Sequence, residues 1–503
     1  MSFNLNKIQF EKEIENVGAT VVFKKISTDT MTPILASLNI FSHFPDYHFL
    51  LESAQNSKDG KNSKGRFSVI GLDPDAVFKC KNGQSFINKN FAKNRDDFAL
   101  EKGEALQNFR KFFTDAKIDF ENLVYQNGKL PAVCAGVFGY FGYDMVKFME
   151  ELPENNLSDE IGIDDAIFIR PQILIIFDNF FDCALICAPV FKDSKKNYDE
   201  LVSKIKNIEN ILQENPKSLE IKGETSFSFS SNYSEKEYCD TVLECKKYII
   251  EGDIFQILPS QRFVSNFDKN IPPLAFYRSL RALNPSPFLF FFKFEDFVLT
   301  GSSPEIMVSL KNRITTIRPL AGTRKRGKNF DEDKEIATEL LQDEKEIAEH
   351  LMLIDLGRHD VGRVCKAGSV KTTEKMAIEY YSHVMHISST VEGELRDDLD
   401  ALDALISGFP AGTVSGAPKI RAMEILENIE KTKRSFYAGC AGYFSSNGDM
   451  ETCITLRSAL IKNDKIYLQA GAGVVFDSDP KSEYQECINK AQALMKACEN
   501  IKF

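Results

Sequence analysis

Two pairs of glutamates have the spacing that places carboxylates together on one face of a helix. Glu346 and Glu349 lie three residues apart within the stretch 343–363, and Glu483 and Glu486 repeat that spacing near the C-terminus. Residues three apart on an α-helix share a face, and grouped like charges face water, take up protons or hold a hard cation. Carboxylate oxygens and water are the ligands that Mg²⁺ prefers. The two pairs therefore predict a Mg²⁺ site with room for an anionic substrate.

The first pair requires a helix that begins at Asp343, a residue type favoured at the N-cap. Apolar residues recur at helical spacing through the stretch, and Gly357 is expected to end the helix. The competing interpretation is that Glu346 is the N3 residue of a capping box with Asp343 and binds no metal.

The second pair follows Asp479-Pro480, a cap residue and a first-turn proline, and its helix is expected to run to about Ala497. A glycine-rich strand is predicted before it, over 469–476. On the helix, Lys490 shares a face with Glu483 and Glu486, so a positive charge lies beside the carboxylates.

Composition excludes several classes of function. A net charge of −11 and a pI near 5.3 argue against a nucleic-acid partner, since nucleic-acid-binding proteins carry a basic surface. The one basic run, 324–328, is interpreted as a solvated loop.

The chain lacks an apolar run long enough to span a bilayer, and it lacks the pattern of a signal peptide. Both observations predict a cytoplasmic protein without membrane contact. Eleven scattered cysteines without a CxxC pair are expected to be reduced and mostly buried.

A polar connector divides the chain into two predicted regions, 1–225 and 226–503. In the first, turns are predicted at Gly71 and at Asp73-Pro74. The predicted strands of both regions are 66–70, 132–140, 173–178, 182–190, 253–260 and 288–294, and the predicted helices lie within 192–218 and over 238–251. Strands and helices mix without a regular βαβ order, which favours an α+β fold with an antiparallel sheet.

The glycines of Gly136-x-x-Gly139-x-x-Gly142 do not have the spacing of a nucleotide-binding loop, and aromatic residues lie between them. We therefore predict a tightly packed strand at this position.

A resemblance to the chorismate-utilising enzymes is present over about 230 to 495. Besides the stretch 343–363, it rests on the ordered strings GDIFQILPSQ, GSSPE, RPLAGTRKRG, HVMHISS, FPAGTVSGAPKIRAMEIL, AGAGVV and SEYQECINKAQAL. Within that family the chain is similar to the large subunits of anthranilate synthases, which convert chorismate and ammonia to anthranilate and pyruvate. The strings LLES, GRFSVIG and GYFGYD extend the resemblance into the first region. The resemblance implies two large antiparallel sheets that form a sandwich flanked by helices, with chorismate in a cleft.

The resemblance also implies binding residues. Mg²⁺ on the four glutamates named above would receive the ring carboxylate of chorismate. The enolpyruvyl carboxylate would be held by a second set of residues, with Lys490 adding positive charge: Tyr437, Arg457, and the backbone of Gly471, Ala472 and Gly473.

For the reaction, the resemblance implies that Glu305 is the acid that protonates the departing C4 oxygen. His386 and Thr413 are the matching residues close to the ring, with His386 as an orienting hydrogen-bond partner rather than a sole base. A metal site formed by His383 and His386 is not expected. The string LGRHD departs from the family's LGRND at His359, so the local hydrogen bonding there stays open.

Two positions discriminate between members of the family. Gln256 stands where water-adding members have a lysine base, which favours ammonia as the nucleophile. Ala321 stands where aminodeoxychorismate synthases have a lysine that attacks the ring, which disfavours that alternative. Two other classes stay open: a di-metal carboxylate oxidase, whose Glu-x-x-His spacing is missing, and a non-enzymatic amino-acid-binding regulator.

Two partners are expected beside chorismate. Use of glutamine needs a cysteine nucleophile at a sharp turn, and Gly439-Cys440-Ala441-Gly442 has the wrong glycine spacing. A separate glutamine amidotransferase subunit is therefore expected to deliver ammonia, in a hetero-oligomer. Feedback inhibition by L-tryptophan is implied by segments that resemble the family's inhibitor pocket, through the residues Glu52, Ser53, Pro287, Phe288 and Leu289.

Overall fold

The computed structural model describes residues 3–56, 62–120, 123–125, 128–153, 157–194, 196–215, 219, 221, 226–381 and 384–501. Its α-helices are α1 (Lys7–Val17), α2 (Pro33–His43), α3 (Ala105–Asp115), α4 (Tyr198–Leu212), α5 (Glu235–Ile250), α6 (Pro273–Leu283), α7 (Phe330–Leu340), α8 (Glu344–Gly362), α9 (Ala401–Gly408), α10 (Lys419–Ile429) and α11 (Pro480–Glu499). Short 3₁₀ helices span Ala132–Cys134, Tyr143–Phe148 and Gly412–Val414.

The strands of the first region are β1 (Thr20–Ser27), β2 (His48–Glu52), β3 (Ala54–Asn56), β4 (Asn62–Lys64), β5 (Phe67–Lys81), β6 (Gln84–Asn88), β7 (Ala99–Glu101), β8 (Val124–Tyr125), β9 (Gly128–Lys129), β10 (Gly136–Phe141), β11 (Ala166–Asp178) and β12 (Cys183–Val190). Those of the second are β13 (Ser230–Ser231), β14 (Gln256–Ile257), β15 (Ser260–Asn266), β16 (Phe288–Lys293), β17 (Phe297–Ser303), β18 (Ile306–Lys311), β19 (Ile314–Ile317), β20 (Leu320–Lys325), β21 (Lys371–Tyr380), β22 (Val384–Glu394), β23 (Gly416–Ala417), β24 (Cys440–Ser445), β25 (Met450–Ile454), β26 (Ser458–Lys462) and β27 (Lys465–Gly471).

The α+β prediction is confirmed by the strand pairing. Every ladder between two of these strands is antiparallel, and the pairings join 21 strands into one hydrogen-bonded network. Residues alternate along β11 between two hydrophobic cores, because successive side chains of a strand point to opposite faces. Leu174 and Ile176 lie in the first core, whereas Ile173, Ile175 and Phe177 lie in the second. The second core also contains the apolar faces of α4, α5, α6 and α11, so these helices cover one face of the sheet.

The two helices that carry the glutamate pairs begin where the sequence predicts. The Asp343 side chain accepts hydrogen bonds from the backbone N–H groups of Lys345 and Glu346, and the Asp479 side chain accepts one from Ser482. The prediction that Gly357 ends α8 is wrong, because the helix continues to Gly362. A Cβ at Gly357 would lie 3.6 Å from Ile317, an ordinary van der Waals distance, so the packing of α8 on the sheet does not depend on this glycine.

The predicted turns at Gly71 and Asp73-Pro74 are also wrong, since β5 runs through all three residues. Gly71 is required there because the ring of Phe49 occupies the space of a Cβ, 2.2 Å from its ideal position. Pro74 pairs with Pro171 at a β-bulge, where neither residue can donate a ladder hydrogen bond.

The prediction of a tightly packed strand at the three glycines is confirmed by β10. A Cβ at Gly139 would lie 1.9 Å from the carbonyl oxygen of Ile167, and one at Gly136 would lie 2.3 Å from that of Phe444. Both glycines therefore allow β10 to fit between β11 and β24.

The other predicted elements are present with shifted ends. The strand predicted over 253–260 is interrupted by Leu258-Pro259, which separates β14 from β15, and the strand predicted over 469–476 ends at Gly471. Of the cysteines, Cys239 is half-buried and the other ten are buried, as predicted. In the described ranges no helix has the length and apolarity that a bilayer span requires.

Strand pairing crosses the predicted boundary between residues 225 and 226. β2 of the first region pairs with β16, and β10 pairs with β24. Both hydrophobic cores contain residues of both regions. The boundary itself stays a prediction, and residues 222–225 lie outside the described part.

Candidate active site

A cavity of about 160 Å³ lies where several strand ends meet α11. Its lining includes eight of the residues singled out from the sequence: Glu305, Ala321, His386, Thr413, Tyr437, Arg457, Gly471 and Lys490. Glu305 lies in the link between β17 and β18, and Thr413 lies in the 3₁₀ helix Gly412–Val414. Strands β20, β22 and β27 supply Ala321, His386 and Gly471, and α11 supplies Lys490. Tyr437 precedes β24, and Arg457 follows β25. The fold therefore brings together residues that lie up to 185 positions apart in the chain.

Glu305 is a buried carboxyl group with a hydroxyl donor. It is 7% exposed, and the Thr413 hydroxyl donates a hydrogen bond to its Oε1 over 2.8 Å. Burial raises the pKa of Glu305 to about 7, while the Thr413 bond and the charge of Arg457 act in the opposite direction. A carboxyl group with this pKa is available as a general acid near neutral pH.

His386 is buried and faces Thr323 across the β20–β22 ladder. Its Nδ1 lies 3.1 Å from the carbonyl oxygen of Gly322 and 3.0 Å from the Thr323 hydroxyl. Because a carbonyl oxygen can only accept, Nδ1 carries the proton and Nε2 keeps a lone pair. Burial, with the positive charge of Arg457, lowers the pKa of His386 to about 4. The imidazole is therefore neutral, which suits an orienting role.

Arg457 supplies a cation that lies in the cavity with Glu305 but is not paired with it at salt-bridge distance. Its guanidinium makes no hydrogen bond or salt bridge with any residue that the structure describes, and burial lowers its pKa. The residue has a φ of 48°, a left-handed conformation that is rare outside glycine and is typical of functional sites. An anion that enters the cavity would provide the missing partner, next to the buried ring of Tyr437.

The glycine-rich segment 471–473, at the end of β27, lines the cavity with one of its three residues. Gly471 lines the cavity, and its carbonyl oxygen accepts a hydrogen bond from Lys490 Nζ over 3.0 Å. Ala472 and Gly473 do not line it, and the Ala472 N–H donates to the carbonyl oxygen of Pro259 over 3.3 Å. Carboxylate binding by this backbone segment stays a prediction.

The four glutamates of the predicted metal site lie on α8 and α11, and three of them have protein partners. Glu346 accepts from Arg324 Nη1 over 2.9 Å, Glu349 accepts from Gln256 Nε2 over 2.9 Å, and Glu486 pairs with Lys490 over 2.8 Å. Burial raises the pKa of Glu349, and the charges of Glu346 and Glu486 raise it further. Negative charge is therefore concentrated between the two helices.

The donor set fits a hard cation. Glu483 Oε2 is buried without a hydrogen-bond partner. Burial raises the pKa of Glu483, an interaction of the carboxyl group with Ser478 lowers it, and the charge of Glu486 raises it again. Several carboxylate oxygens from neighbouring helices are the ligands that Mg²⁺ prefers. Among the described residues no three His, Cys, Asp or Glu side chains stand at ligating distance, and Arg324 and Lys490 each pair with one of the four carboxylates.

The prediction of a solvated loop at 324–328 is wrong for its two arginines. Arg324 donates to Glu346 and to Asp343, over 2.9 and 2.7 Å, and Arg326 forms a two-pronged pair with Asp333. Sequence reasoning missed this role, since opposite charges two elements apart in the chain give no local signal. It also missed Thr323, because the position of this residue opposite His386 depends on the register of the β20–β22 ladder.

Two histidines of α8 have no part in a metal site. His350 is buried, and its Nε2 lies 2.7 Å from the Ser389 hydroxyl on β22. His359 lies exposed in the last turn, while the neighbouring Asp360 pairs with Lys419 over 2.8 Å. The departure at His359 therefore leaves the buried ion pair beside it in place. His383 lies outside the described residues.

A second cavity, of about 900 Å³, contains every residue predicted for an inhibitor site. Its lining includes Glu52, Ser53, Pro287, Phe288 and Leu289. Both oxygens of Glu52 already have donors, from Tyr277 over 2.7 Å and from Arg281 over 3.0 Å. Charged residues that the sequence did not indicate also line this cavity, among them Arg318, Glu374 and Glu379. The volume is in the range of small-molecule sites.

The two cavities share part of a wall. Pro304 and Leu320 line both of them. Pro304 precedes Glu305, and Leu320 begins the strand that carries Thr323. A displacement of either residue would therefore change the lining of both cavities.

Residues 47–496 match the model of the chorismate binding enzyme family. The chain belongs to this family, which confirms the resemblance found in its motifs. Anthranilate synthase component 1 of Cereibacter sphaeroides is 43% identical, over 95% of this chain and 94% of that protein. The protein of the same description from Aquifex aeolicus is 39% identical, over 99% of this chain and 98% of its own length.

Solved structures give the same result. Anthranilate synthase component I from Streptococcus pneumoniae superposes with a TM-score of 0.76 at 33% identity, over 94% of this chain and 99% of that one. The menaquinone-specific isochorismate synthase from Escherichia coli superposes with a TM-score of 0.70 at 18% identity, over 96% and 95% of the two chains. The latter likeness concerns the fold alone.

Proposed function

We propose that this chain is the chorismate-binding subunit of an anthranilate synthase, which converts chorismate and ammonia to anthranilate, pyruvate and water. The observation that carries the proposal is one cavity in which an unpaired guanidinium, Arg457, lies near a protonatable buried carboxyl, Glu305. The names of the relatives support the same assignment.

The proposed roles follow from the side chains. Arg457 binds a carboxylate of chorismate, with Tyr437 beside it. Glu305 gives its proton to the C4 hydroxyl, which leaves as water while ammonia bonds to C2. His386, neutral and fixed by Gly322, presents Nε2 to the ring and accepts a hydrogen bond during the loss of pyruvate. Thr413 holds Glu305 in place.

Glu346, Glu349, Glu483 and Glu486 would hold Mg²⁺. The ion would supply a positive charge that binds the ring carboxylate and withdraws electrons from the ring. The orphaned Glu483 Oε2 is the support for this assignment.

Gln256 supports ammonia, rather than water, as the nucleophile, and Ala321 supports a reaction without a covalent bond between the enzyme and the ring. Gln256 does not line the cavity; it is buried, donates to Glu349 and has an Oε1 without a hydrogen-bond partner, so it carries an acceptor but no base. Ala321 lines the cavity and has no nucleophilic atom, which disfavours aminodeoxychorismate synthesis. A di-metal oxidase is disfavoured by His350, whose Nε2 is bound to Ser389.

The proposed function is tested by incubating the purified chain with chorismate, Mg²⁺ and an ammonium salt. Anthranilate and pyruvate are expected in equal amounts. Isochorismate or 4-amino-4-deoxychorismate as the product would contradict the assignment, and no turnover at high ammonium would favour an amino-acid-binding regulator. Iron in the purified protein would favour an oxidase.

We also propose that a separate amidotransferase subunit supplies the ammonia. Cys440 is buried in β24, and burial raises the pKa of its thiol to about 12, so it cannot attack glutamine. The chain alone is therefore expected to use ammonium but not glutamine. Glutaminase activity of the purified chain would contradict this partner.

Thr413→Val is expected to move the pH dependence of activity upward. The Thr413 hydroxyl stabilises the charged carboxylate and so lowers the pKa of Glu305; its removal raises that pKa above about 7. Glu305 then stays protonated to higher pH, and the alkaline limb of kcat/KM shifts upward by about one to two pH units.

The measurement is kcat/KM for chorismate against pH at a fixed concentration of unprotonated ammonia. Thr241→Val, which removes a buried hydroxyl bonded within α5, is the matched control and should leave the limb unchanged. A limb that moves downward, or that moves equally in both variants, would refute the role of Thr413.

We further propose that the larger cavity binds L-tryptophan as a feedback inhibitor. Phe288 and Leu289 offer apolar surface for an indole, and Ser53 with the acidic side chains of the cavity offers acceptors for an ammonium group. The shared wall at Pro304 and Leu320 provides a physical route to Glu305. Inhibition of this kind is reciprocal, so chorismate should weaken tryptophan binding by the same factor.

Ser53→Phe is expected to raise the tryptophan concentration for half-inhibition by about tenfold or more, because the ring takes up space in the cavity. The measurement is a tryptophan titration of ammonia-dependent turnover, with Ser203→Phe on the exposed face of α4 as the control. A wild-type enzyme indifferent to millimolar tryptophan, or equal sensitivity in both variants, would remove the inhibitor site.

A further inference from the structure

A buried arginine lies behind the wall of the smaller cavity. Arg434 is 1% exposed, and Nε and Nη2 of its guanidinium donate to the two carboxylate oxygens of Glu430, each over 2.8 Å. Glu430 is the C-cap residue of α10 and is 8% exposed. Neither side chain lines the cavity. The two form a two-pronged ion pair inside the protein.

Other donors of the guanidinium reach two segments of the cavity wall. Nη1 of Arg434 donates to the carbonyl oxygen of Val414 over 2.7 Å, and Nη2 donates to that of Leu258 over 2.6 Å. Val414 follows Thr413, and Leu258 comes two residues after Gln256. One planar group therefore fixes the segment that supports Glu305 relative to the segment that carries Gln256.

Glu430 extends this network to a third segment. Its Oε1 accepts hydrogen bonds from the N–H and the hydroxyl of Ser260, over 2.9 and 2.8 Å. The Ser260 hydroxyl oxygen accepts in turn from Gln469 Nε2 over 2.9 Å, and Gln469 lines the cavity in β27. Tyr437 belongs to a fourth segment of the wall, and the centre of its ring lies 5.8 Å from the guanidinium carbon of Arg434.

We propose that Arg434 and Glu430 are positioning residues that set the spacing of these four wall segments without touching the substrate. Desolvation offsets much of the attraction in a buried ion pair, so stability alone is a poor reason for one. A displacement of about 1 Å between reacting groups lowers a rate by about a hundredfold. The inference rests on the proposed function, and loss of the pair is expected to act on kcat.

Arg434→Lys tests the proposal, because lysine keeps the charge but offers a single nitrogen in place of a planar fork. The kcat for anthranilate formation is expected to fall about thirtyfold or more, while the Kd for chorismate, measured without ammonia, changes less than about threefold. Arg170→Lys is the matched control. Arg170 is 4% exposed, pairs with Asp75 over 2.7 Å and lines neither cavity.

The control variant is expected to lower the melting temperature and to keep its kcat. Ser260→Ala removes only the hydroxyl between Glu430 and Gln469, and a fall in kcat of about fivefold is expected. In the double variant Arg434→Lys, Ser260→Ala, the fall in kcat should be smaller than the product of the two single falls, since both substitutions act through one network.

A folded Arg434→Lys variant with kcat within threefold of wild type would overturn the proposal, as would an equal loss in Arg170→Lys. Should Arg434→Lys not fold, an unchanged kcat in Ser260→Ala would overturn it. A wild-type chain that forms no anthranilate would refute the proposed function instead, before any variant is compared.

Discussion

Glu486→Gln is expected to lower ammonia-dependent turnover about a thousandfold and to weaken Mg²⁺ binding in the same variant. The substitution removes one negative charge from the cluster between α8 and α11 and one anionic oxygen from the ligand set. It also removes the partner of Lys490, at 2.8 Å. Titration calorimetry with Mg²⁺ alone gives a readout that does not depend on the reaction.

The matched control is Glu499→Gln, an exposed glutamate at the end of the same helix, which should keep both turnover and Mg²⁺ affinity. Far-ultraviolet circular dichroism should be unchanged in both variants. Full turnover of Glu486→Gln, or of wild type in excess chelator, would refute the metal site.

Glu305→Gln is expected to reduce kcat about a thousandfold with little change in chorismate affinity. The amide has nearly the shape of the acid and still accepts the Thr413 hydrogen bond, but it has no proton to give to the leaving hydroxyl. The alkaline limb of the pH profile, which the pKa of about 7 places near neutrality, should disappear with the carboxyl group. Rapid-quench measurement of a single turnover separates this effect from product release.

Asp178→Asn is the control for burial of a neutralised carboxyl group. Asp178 is 1% exposed, pairs with Arg66 over 3.1 Å and lines neither cavity. The free energy of unfolding of Asp178→Asn should fall, while its kcat should equal that of the wild type. A Glu305→Gln enzyme that retains a tenth or more of wild-type kcat would mean that another group supplies the proton.

The helices of the site could be predicted because their signals are local. Asp343 and Asp479 cap helices in the structure as their residue types and neighbours indicate. The tight packing of β10 could also be predicted, because its glycines lie among aromatic residues. The fold class followed from the order of elements.

What the sequence could not supply is contact between distant elements. Gly71 resembles a turn residue, and only the ring of Phe49 on another strand explains it. Arg324 resembles a solvated cation until α8 brings Glu346 to it. Motifs located the residues of the smaller cavity, but Glu430 and Arg434, four apart, look like an ordinary surface pair. Their burial depends on β15 and the 3₁₀ helix Gly412–Val414.

The pairing of β10 with β24 and of β2 with β16 has a consequence for synthesis of the protein. β10 leaves the ribosome about 300 residues before its partner β24. β10 keeps an open edge until then, and β2 keeps one until the earlier strand β16 is made; contacts so distant in sequence form slowly. Residues 1–225 made alone should aggregate rather than fold, and the full chain should need chaperone protection longest between translation of β12 and β24.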